Sequence, residues 1–404
     1  MAIPHSPSAL SPPANSRTPR RLRKILSLDD FEDAARRHLP APVFGYVSGG
    51  CETDASLHGN RTAFADYGLV PRVLQGVSQR SQATALFGHT WAAPFGIAPM
   101  GLCALSAYRG DLVLAQAAAA ANIPMLVSGT GLIALEAVHQ ANPQAWFQAY
   151  VPGEPARIEA LIARVAQAGY RTLVITADTT VSGNRENQVR VGFSTPLRPS
   201  LKLAWDGFTR PRWLWGTALR TLLQHGMPHF ENSQATRGAP ILSRNVTRDF
   251  GARDHLNWEH LRMIRALWKG HLVVKGLMSV DDARLARDCG VDGLIVSNHG
   301  GRQLDGAVSP LRVLPGIVEA MGDLPVMMDS GIRRGNDVLK AMALGARFVF
   351  VGRPFNYAAS VAGEAGVQHA IKLLSEEIMR NMALLGINRL EQIRDDRVVR
   401  LKDG

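Results

Sequence analysis

A histidine, two glycines and an arginine terminate an apolar run at Gly293-Leu294-Ile295-Val296-Ser297-Asn298-His299-Gly300-Gly301-Arg302. The apolar residues read as a buried parallel strand. Glycines let a backbone turn sharply and approach a ligand closely. His299 can exchange a proton near neutral pH. Arg302 can grip a carboxylate through two hydrogen bonds. A base and an anion clamp at the end of a buried strand point to catalysis, because α/β folds collect their sites at strand ends. The alternative is a hydrogen-bonded histidine beside a surface arginine in a turn.

Two further segments suit an anion. Asp329-Ser330-Gly331-Ile332-Arg333-Arg334-Gly335 follows an apolar run and opens a helix, and Gly352-Arg353-Pro354 follows the next run. Glycine amides, a helix N-terminus and arginines form a cradle where barrels often bind phosphate. A phosphate-bearing cofactor is the expected ligand. Lys275 ends another run, and a lysine inside a ring of strands needs an anion or a purpose. It could form a Schiff base or stabilise negative charge on a cofactor, and the residues alone leave both open. Asp178 could hold the His299 imidazole in one tautomer or simply cap a turn. Arg185 and Arg302, with Tyr46 and Tyr150, would suit a small substrate bearing a carboxylate and a hydroxyl.

The elements that must position these groups form a rhythm. Apolar runs at Phe95–Met100, Met125–Ser128, Trp146–Val151, Thr172–Ala177, Leu272–Lys275, Gly293–Ser297, Val326–Asp329 and Phe348–Val351 alternate with helical stretches, several ending at glycine. Eight strand–helix units predict an α/β fold, a (β/α)8 TIM barrel. A doubly wound sheet would need a glycine-rich fingerprint after its first strand, and Gly129-Thr130-Gly131 is too short for one. The run ends carry Met100, Ser128, Gln148, Tyr150, Thr176, Asp178, Lys275, His299, Asp329 and Gly352-Arg353. In a barrel those positions share one rim.

The flanking segments read as follows. Residues 1–24 are basic and rich in Ser and Pro, as in a disordered tail. Their prolines would break the amphipathic helix of a transit peptide. Ser27–His38 predicts an N-terminal helix capped by Ser27. The barrel domain is expected over 25–390, with a helix over His369–Leu385 and a short tail over 391–404. Between Asp178 and Trp258 lies an excursion, 179–257, far longer than the usual connection of about 4–6 residues. It carries Trp205, Phe208, Trp213 and Trp215 among Lys202, Arg210, Arg212 and Arg220. That mixture suits a membrane surface or a partner, or a lid packed on its own barrel.

Composition bounds the rest. The chain has 404 residues, 46% of them hydrophobic, and a net charge of +11. No apolar run approaches the roughly 18 residues of a spanning helix, and no signal peptide is visible. Cys51, Cys103 and Cys289 lie too far apart for a metal motif or a disulfide framework, so no metal and a reducing cytoplasm are expected. The charge favours anionic partners, but no nucleic-acid motif accompanies it.

With these residues in hand, the chain resembles the FMN-dependent α-hydroxy-acid dehydrogenase and oxidase family over about residues 27–387. Ser297–Asp305 looks like the family's active-site signature. Phe44–Gly50, Ile97–Pro99, Gln148–Tyr150, Thr176–Asp178, Val274–Gly276, Asp329–Gly335 and Gly352–Pro354 support it. The resemblance implies FMN as cofactor and oxidation of an (S)-2-hydroxy acid to a 2-oxo acid. His299 would be the base, supported by Asp178, with Arg185 and Arg302 on the substrate carboxylate and Tyr46 and Tyr150 on its carboxylate and hydroxyl. Lys275 would lie near flavin N1 and O2. Pro99, Met100, Ser128, Gln148, Thr176 and Ser297 would line the isoalloxazine and ribityl chain, and Asp329, Gly331, Arg333, Gly352 and Arg353 the ribityl and phosphate end. A quinone, an electron carrier or oxygen would reoxidise the flavin. The excursion resembles a membrane-associating loop, implying peripheral contact through 200–230 at the inner face of a membrane, and the family implies a homotetramer. Met100-Gly101 departs from the family's frequent Thr-Ala or Thr-Gly, and Thr130 stands where several oxidases carry an aromatic, implying a roomier pocket. An isomerase-type FMN barrel would not need the paired arginines. A non-catalytic flavin-binding protein would be expected to lose His299, Arg302 or Lys275.

Overall fold

The computed structural model describes residues 19–194, 197–198, 201–243 and 253–401. Eight parallel strands form its central sheet: β1 Phe95–Ile97, β2 Leu126–Ser128, β3 Trp146–Ala149, β4 Thr172–Thr176, β5 His271–Leu277, β6 Gly293–Val296, β7 Val326–Met328 and β8 Phe348–Val351. Their spatial order is β1-β8-β7-β6-β5-β4-β3-β2. A bridge between Ile97 and Met125 joins β1 to β2, with the Ile97 amide donating to the Pro124 carbonyl at 2.9 Å. The sheet therefore closes into the expected (β/α)8 barrel. Helices α4 Gly110–Ala120, α5 Leu135–Ala141, α6 Pro155–Gln167, α7 Trp258–Leu267, α8 Val280–Asp288, α9 Pro310–Met321, α10 Gly335–Ala343 and α11 Arg353–Leu385 surround it. α11 is kinked at Ala362 and Gly363, whose backbone is not helical.

The two-residue period of a strand decides what enters the barrel. Ala98, Leu126, Trp146, Val174, Val273, Ile295, Met327 and Phe350 share one interior cluster. Their strand neighbours, such as Leu173, Ile175, Leu294 and Val296, face the helices. A hairpin of Thr84–Leu86 and His89–Trp91 contributes Leu86 and Trp91 to the interior cluster. Counting two residues further along each strand gives Met100, Ser128, Gln148, Thr176, Lys275, Ser297, Asp329 and Gly352. The apolar plug thus continues into a mostly polar ring at the C-terminal mouth.

An N-terminal extension of α1 Leu28–His38, α2 Ala41–Ser48 and α3 Ala55–Thr62 precedes the barrel. Ser27 caps α1 as expected: its hydroxyl accepts from the Asp30 amide, and Asp30 accepts from the Ser27 amide at 3.0 Å. Phe31 is 0% exposed and meets His369 of α11 edge-on, 6.1 Å between ring centres.

Both expected tails need correction. Residues 1–18 lie outside the described residues, but Leu22, inside the expected tail 1–24, is buried in the main core. At the other end Val398–Arg400 pairs antiparallel with Tyr67–Leu69. The Arg397 guanidinium is buried and donates to the Leu385 carbonyl at 3.0 Å. Such short anchors leave no periodicity to read, which is why the sequence there reads as tail.

Part of the excursion packs on the barrel, and part leaves large apolar side chains exposed. Phe193, Phe230 and Ile241 pack with Leu102 and Leu132 of the barrel loops, as a lid would. Between them lie helical segments Leu201–Phe208, Pro211–Trp213, Leu214–Leu219 and Arg220–His225. Trp213 is tied down, its indole N–H donating to the Leu105 carbonyl at 2.8 Å. Trp205, Phe208, Trp215 and Leu223 are exposed, Leu223 at 82%. Parts of the excursion, 195–196, 199–200 and 244–252, lie outside the described residues. Among the described residues no helix is long and apolar enough to cross a membrane.

If the extension belongs to the core, Phe31→Ala should lower global stability by about 3–5 kcal/mol. Chemical denaturation followed by tryptophan fluorescence measures this, and a change below about 1 kcal/mol would show that α1 docks only loosely.

Candidate active site

The mouth of the barrel opens into a cavity of about 410 Å3, within the range of about 300–1,000 Å3 usual for ligand pockets. His299 lines it. Its backbone is left-handed (φ +58°), and Gly300 and Gly301 continue that conformation. A histidine held there stores strain that the surroundings must enforce. The constraint here is a hydrogen bond from the His299 amide to the Ser297 hydroxyl, 3.0 Å. The ring is held too. Nδ1 lies 2.8 Å from Asp178 Oδ1, and Nε2 lies 3.5 Å from the Tyr150 hydroxyl. With a carboxylate accepting at Nδ1, that nitrogen carries the proton and Nε2 keeps its lone pair.

Asp178 reaches the ring because β5 bulges. The register of β5 against β6 shifts between Lys275 and Leu277. Gly276 sits there at φ +103°, and a Cβ on it would meet the Asp178 carboxyl carbon at 2.6 Å. Only glycine permits both the turn and the approach.

The charges set one another. Burial lowers the His299 pKa from its ordinary value; Asp178 opposes this, while Lys275 and Arg185 add to it. The imidazole is therefore neutral and basic at neutral pH. For Asp178 burial works upward, but His299, which hydrogen-bonds to it, and the Lys275 cation outweigh this and hold the carboxyl below its ordinary value. For Lys275 burial works downward, and the Asp329 and Asp178 carboxylates outweigh it. Lys275 Nζ lies 3.1 Å from Asp329 and donates to the Ser297 hydroxyl at 2.8 Å. A lysine held as a cation is a poor Schiff-base nucleophile. The arrangement argues against the Schiff-base reading of Lys275.

Arg302 and Arg185 are adjacent. Arg185 Nε donates to the Arg302 carbonyl at 3.2 Å. Arg302 donates to the carbonyls of Tyr46 and Gly49, each at 2.8 Å, and lies over the Tyr46 ring. Burial first, then the Arg185 cation, pushes the Arg302 pKa down to about 9. An anion between the two would relieve that strain. Burial raises the Tyr46 and Tyr150 pKa values, so both remain phenolic donors.

The remaining ring residues fit a flavin. Ser128 donates to Gln148 Oε1 at 3.3 Å, and Gln148 Nε2 is left buried with no partner among the described residues. Thr176 Oγ1 is likewise without one. Orphaned buried polar atoms are costly, and the carbonyls and N–H of a flavin's pyrimidine edge would satisfy both. Ser330 and Gly331 adopt left-handed backbone beside the buried Arg333 and the half-buried Arg353, as an anion cradle requires. Arg353 does more than sequence foretold. Its three nitrogens donate to the carbonyls of Val47, Gly300 and Gly49, each at 3.0 Å. Two of the five N–H of a guanidinium remain for a phosphate.

Tyr46, Pro99, Met100, Tyr150, Thr176, Arg185, Lys275, His299, Arg302, Asp329, Gly331, Arg333, Gly352 and Arg353 all line the cavity. Asp178, Ser128, Gln148 and Ser297 do not. Asp178, Ser128 and Ser297 hydrogen-bond to His299, Thr130 and Lys275, which do. Sequence reasoning missed Phe230, Arg253, Thr179 and Asn356 in the lining. Gln303 also lines it, and its adjacency to Arg302 was the available signal. Phe230 and Arg253 come from opposite sides of the undescribed part of the excursion, where no periodicity marks them.

Three comparisons bear on this geometry. Residues 35–400 match the family described as FMN-dependent dehydrogenase. An L-lactate dehydrogenase of Caulobacter sp. (strain K31) is 40% identical over 378 residues, covering 91% of this chain and 97% of that protein. The crystal structure of a monotopic membrane protein, (S)-mandelate dehydrogenase, superposes with a TM-score of 0.87 at 35% identity, covering 94% of this chain and all of that one. A mandelate oxidase structure superposes with a TM-score of 0.77 at 33% identity, covering 93% of this chain and 98% of that one.

A neutral His299 base predicts that kcat/KM rises with pH through an apparent pKa below the ordinary histidine value of about 6.5, then stays level. Asp178→Asn should cost on the order of 10²–10⁴-fold in turnover through loss of the tautomer. Steady-state pH profiles check both, and a rate that falls as pH rises from 5 to 7 would reverse the assignment.

Proposed function

The chain belongs to the FMN-dependent dehydrogenase family, and on that premise we propose that it oxidises an (S)-2-hydroxy acid to the 2-oxo acid. One observation carries the reading. A neutral histidine nitrogen, backed by a carboxylate on the other ring nitrogen, opens into the same cavity as a pair of crowded arginines.

In this reading Arg185 and Arg302 bind the substrate carboxylate, and Tyr46 and Tyr150 donate to its carboxylate and hydroxyl. His299 Nε2 takes the hydroxyl proton, and Asp178 stabilises the imidazolium so formed. The carboxylate clamp fixes Cα relative to Nε2, which is where orientation contributes to rate. FMN, when bound, supplies the acceptor for the electron pair leaving Cα. Pro99, Met100, Ser128, Gln148, Thr176 and Ser297 would hold its ring system and ribityl chain, and Lys275 would lie near N1 and O2. Asp329, Gly331, Arg333, Gly352 and Arg353 would hold its ribityl and phosphate end.

The acceptor in this proposal is a quinone or electron carrier rather than oxygen, reached at the inner face of a membrane. The support is the exposed Trp205, Phe208, Trp215 and Leu223 beside Arg210, Arg212 and Arg220. Aromatic and aliphatic side chains flanked by arginine suit an interface with anionic lipid. Many FMN barrels use other chemistry, but the arginine pair beside the base favours a carboxylate substrate.

Anaerobic bleaching of the flavin band by a 2-hydroxy acid is the expected result. His299→Gln should stay yellow and resist bleaching, and a variant reduced at the wild-type rate would remove His299 as the base. Replacing Trp205, Phe208 and Trp215 together by Ser should abolish co-sedimentation with anionic vesicles. Wild-type protein that stays in the supernatant would contradict the membrane contact.

A further inference from the structure

Two loops have to agree for the proposed chemistry. Asp178 and Arg185 lie on the loop after β4, His299 and Arg302 on the loop after β6. The side chain of Gln303 joins them. Its amide nitrogen donates to the Asp178 carbonyl at 3.0 Å and to the Val181 carbonyl at 2.9 Å. Its amide oxygen accepts from Arg185 Nη2 at 3.0 Å. The backbones approach there as well: a Cβ on Gly183 would meet the Arg302 and Gln303 carbonyl oxygens at 2.7 and 2.8 Å.

The partners fix which way the amide points. Two carbonyls need an N–H donor, a guanidinium needs an acceptor, and an amide supplies both. A glutamate would set a carboxylate against two carbonyls, and an apolar side chain would answer neither end. One side chain thus bears on both halves of the site. On one side it holds Arg185, whose Nε is also held by the Arg302 carbonyl at 3.2 Å. An arginine stem loses much rotamer freedom when it is fixed, and a guanidinium fixed in advance does not charge that loss to the ligand. On the other side it holds the main chain of Asp178, whose carboxylate lies 2.8 Å from His299 Nδ1. A shift at Gln303 therefore moves the clamp and the partner of the base together.

We propose that Gln303 is a positioning residue that sets the carboxylate clamp relative to the base, acting through Arg185 and Asp178. This rests on the 2-hydroxy-acid reading above and adds a residue to the machinery of that site.

The test is a double-mutant cycle between Gln303→Met and Arg185→Met on the FMN-loaded enzyme. Calorimetry measures binding of pyruvate, 2-oxopentanoate and benzoylformate, each against its amide, and needs no turnover. Gln303→Met should weaken binding of the acids by about 10- to 100-fold, the worth of a hydrogen bond to a charged group, and change the amides little. In the Arg185→Met background the same substitution should cost less than about twofold, because members of one network are not additive. Anaerobic flavin reduction at saturating levels of the matching (S)-2-hydroxy acid should slow in Gln303→Met by on the order of 10-fold, because the base is misplaced. Gln303→Asn, which keeps the amide but is too short to span both ends, takes the place of the Met variant should that one fail to retain flavin. Additive losses in the cycle, or equal weakening of acids and amides, overturn the proposal and leave Gln303 a packing role. An unchanged rate at saturation overturns the coupling to the base. If wild type prefers none of the acids over its amide, the 2-hydroxy-acid reading itself fails and the proposal with it.

Discussion

Four cations crowd the mouth of this barrel, Lys275 and Arg333 buried, Arg302 and Arg353 half-buried, and what neutralises them organises the molecule. Lys275 has a carboxylate, Asp329. Arg302 and Arg353 instead donate to the carbonyls of Tyr46, Val47 and Gly49, the last turn of α2 and its cap. A helix C-terminus carries partial negative charge and unpaired carbonyls, so α2 acts as a counter-ion. The N-terminal extension is therefore part of the site. Arg353 also holds the Gly300 carbonyl, which couples α2 to the strained turn that aims His299. Arg333 makes a longer approach to Asp29 of α1, 3.8 Å. Networks of this kind specify geometry more dependably than they add stability.

Strand periodicity converts that geometry into a cofactor platform. One layer of Leu126, Trp146, Val174, Val273, Ile295 and Met327 plugs the barrel. The layer two residues on is polar, and two of its side chains, Gln148 and Thr176, end in atoms with no partner among the described residues. Satisfying both requires a ligand with complementary edges. The platform and the base are built by the same strands, which is why their relative position is rigid.

Much of this was legible in the sequence. The eight strands stand at the eight apolar runs because parallel barrel strands are buried on both faces and show as unbroken apolar stretches. The site residues stood out because polar residues repeatedly ended those runs. What could not be read was anything fixed by distance. The Asp178–His299 contact depends on the Gly276 bulge, which a single glycine in a strand does not announce. The choice between two roles for Lys275 needed the 3.1 Å approach of Asp329. Arg353 as a clamp on α2 is a long-range contact with no local pattern. The expected tails failed for the same reason, since three-residue strands and single buried side chains such as Leu22 leave no periodic trace. Phe230 and Arg253 reach the cavity only through the fold-back of the excursion.

The central claim is that the cation cluster is built to receive a carboxylate beside a neutral base. Thermal melting of the FMN-loaded protein, with a 2-oxo acid and with the corresponding amide, tests it without turnover. Ligand binding to the folded state raises the melting temperature, by an amount that grows with the logarithm of concentration over Kd. The account predicts that the acid stabilises the protein, that Arg302→Met removes most of the effect, and that the amide does little at the same concentration. Equal stabilisation by acid and amide, or an effect indifferent to Arg302, would contradict it.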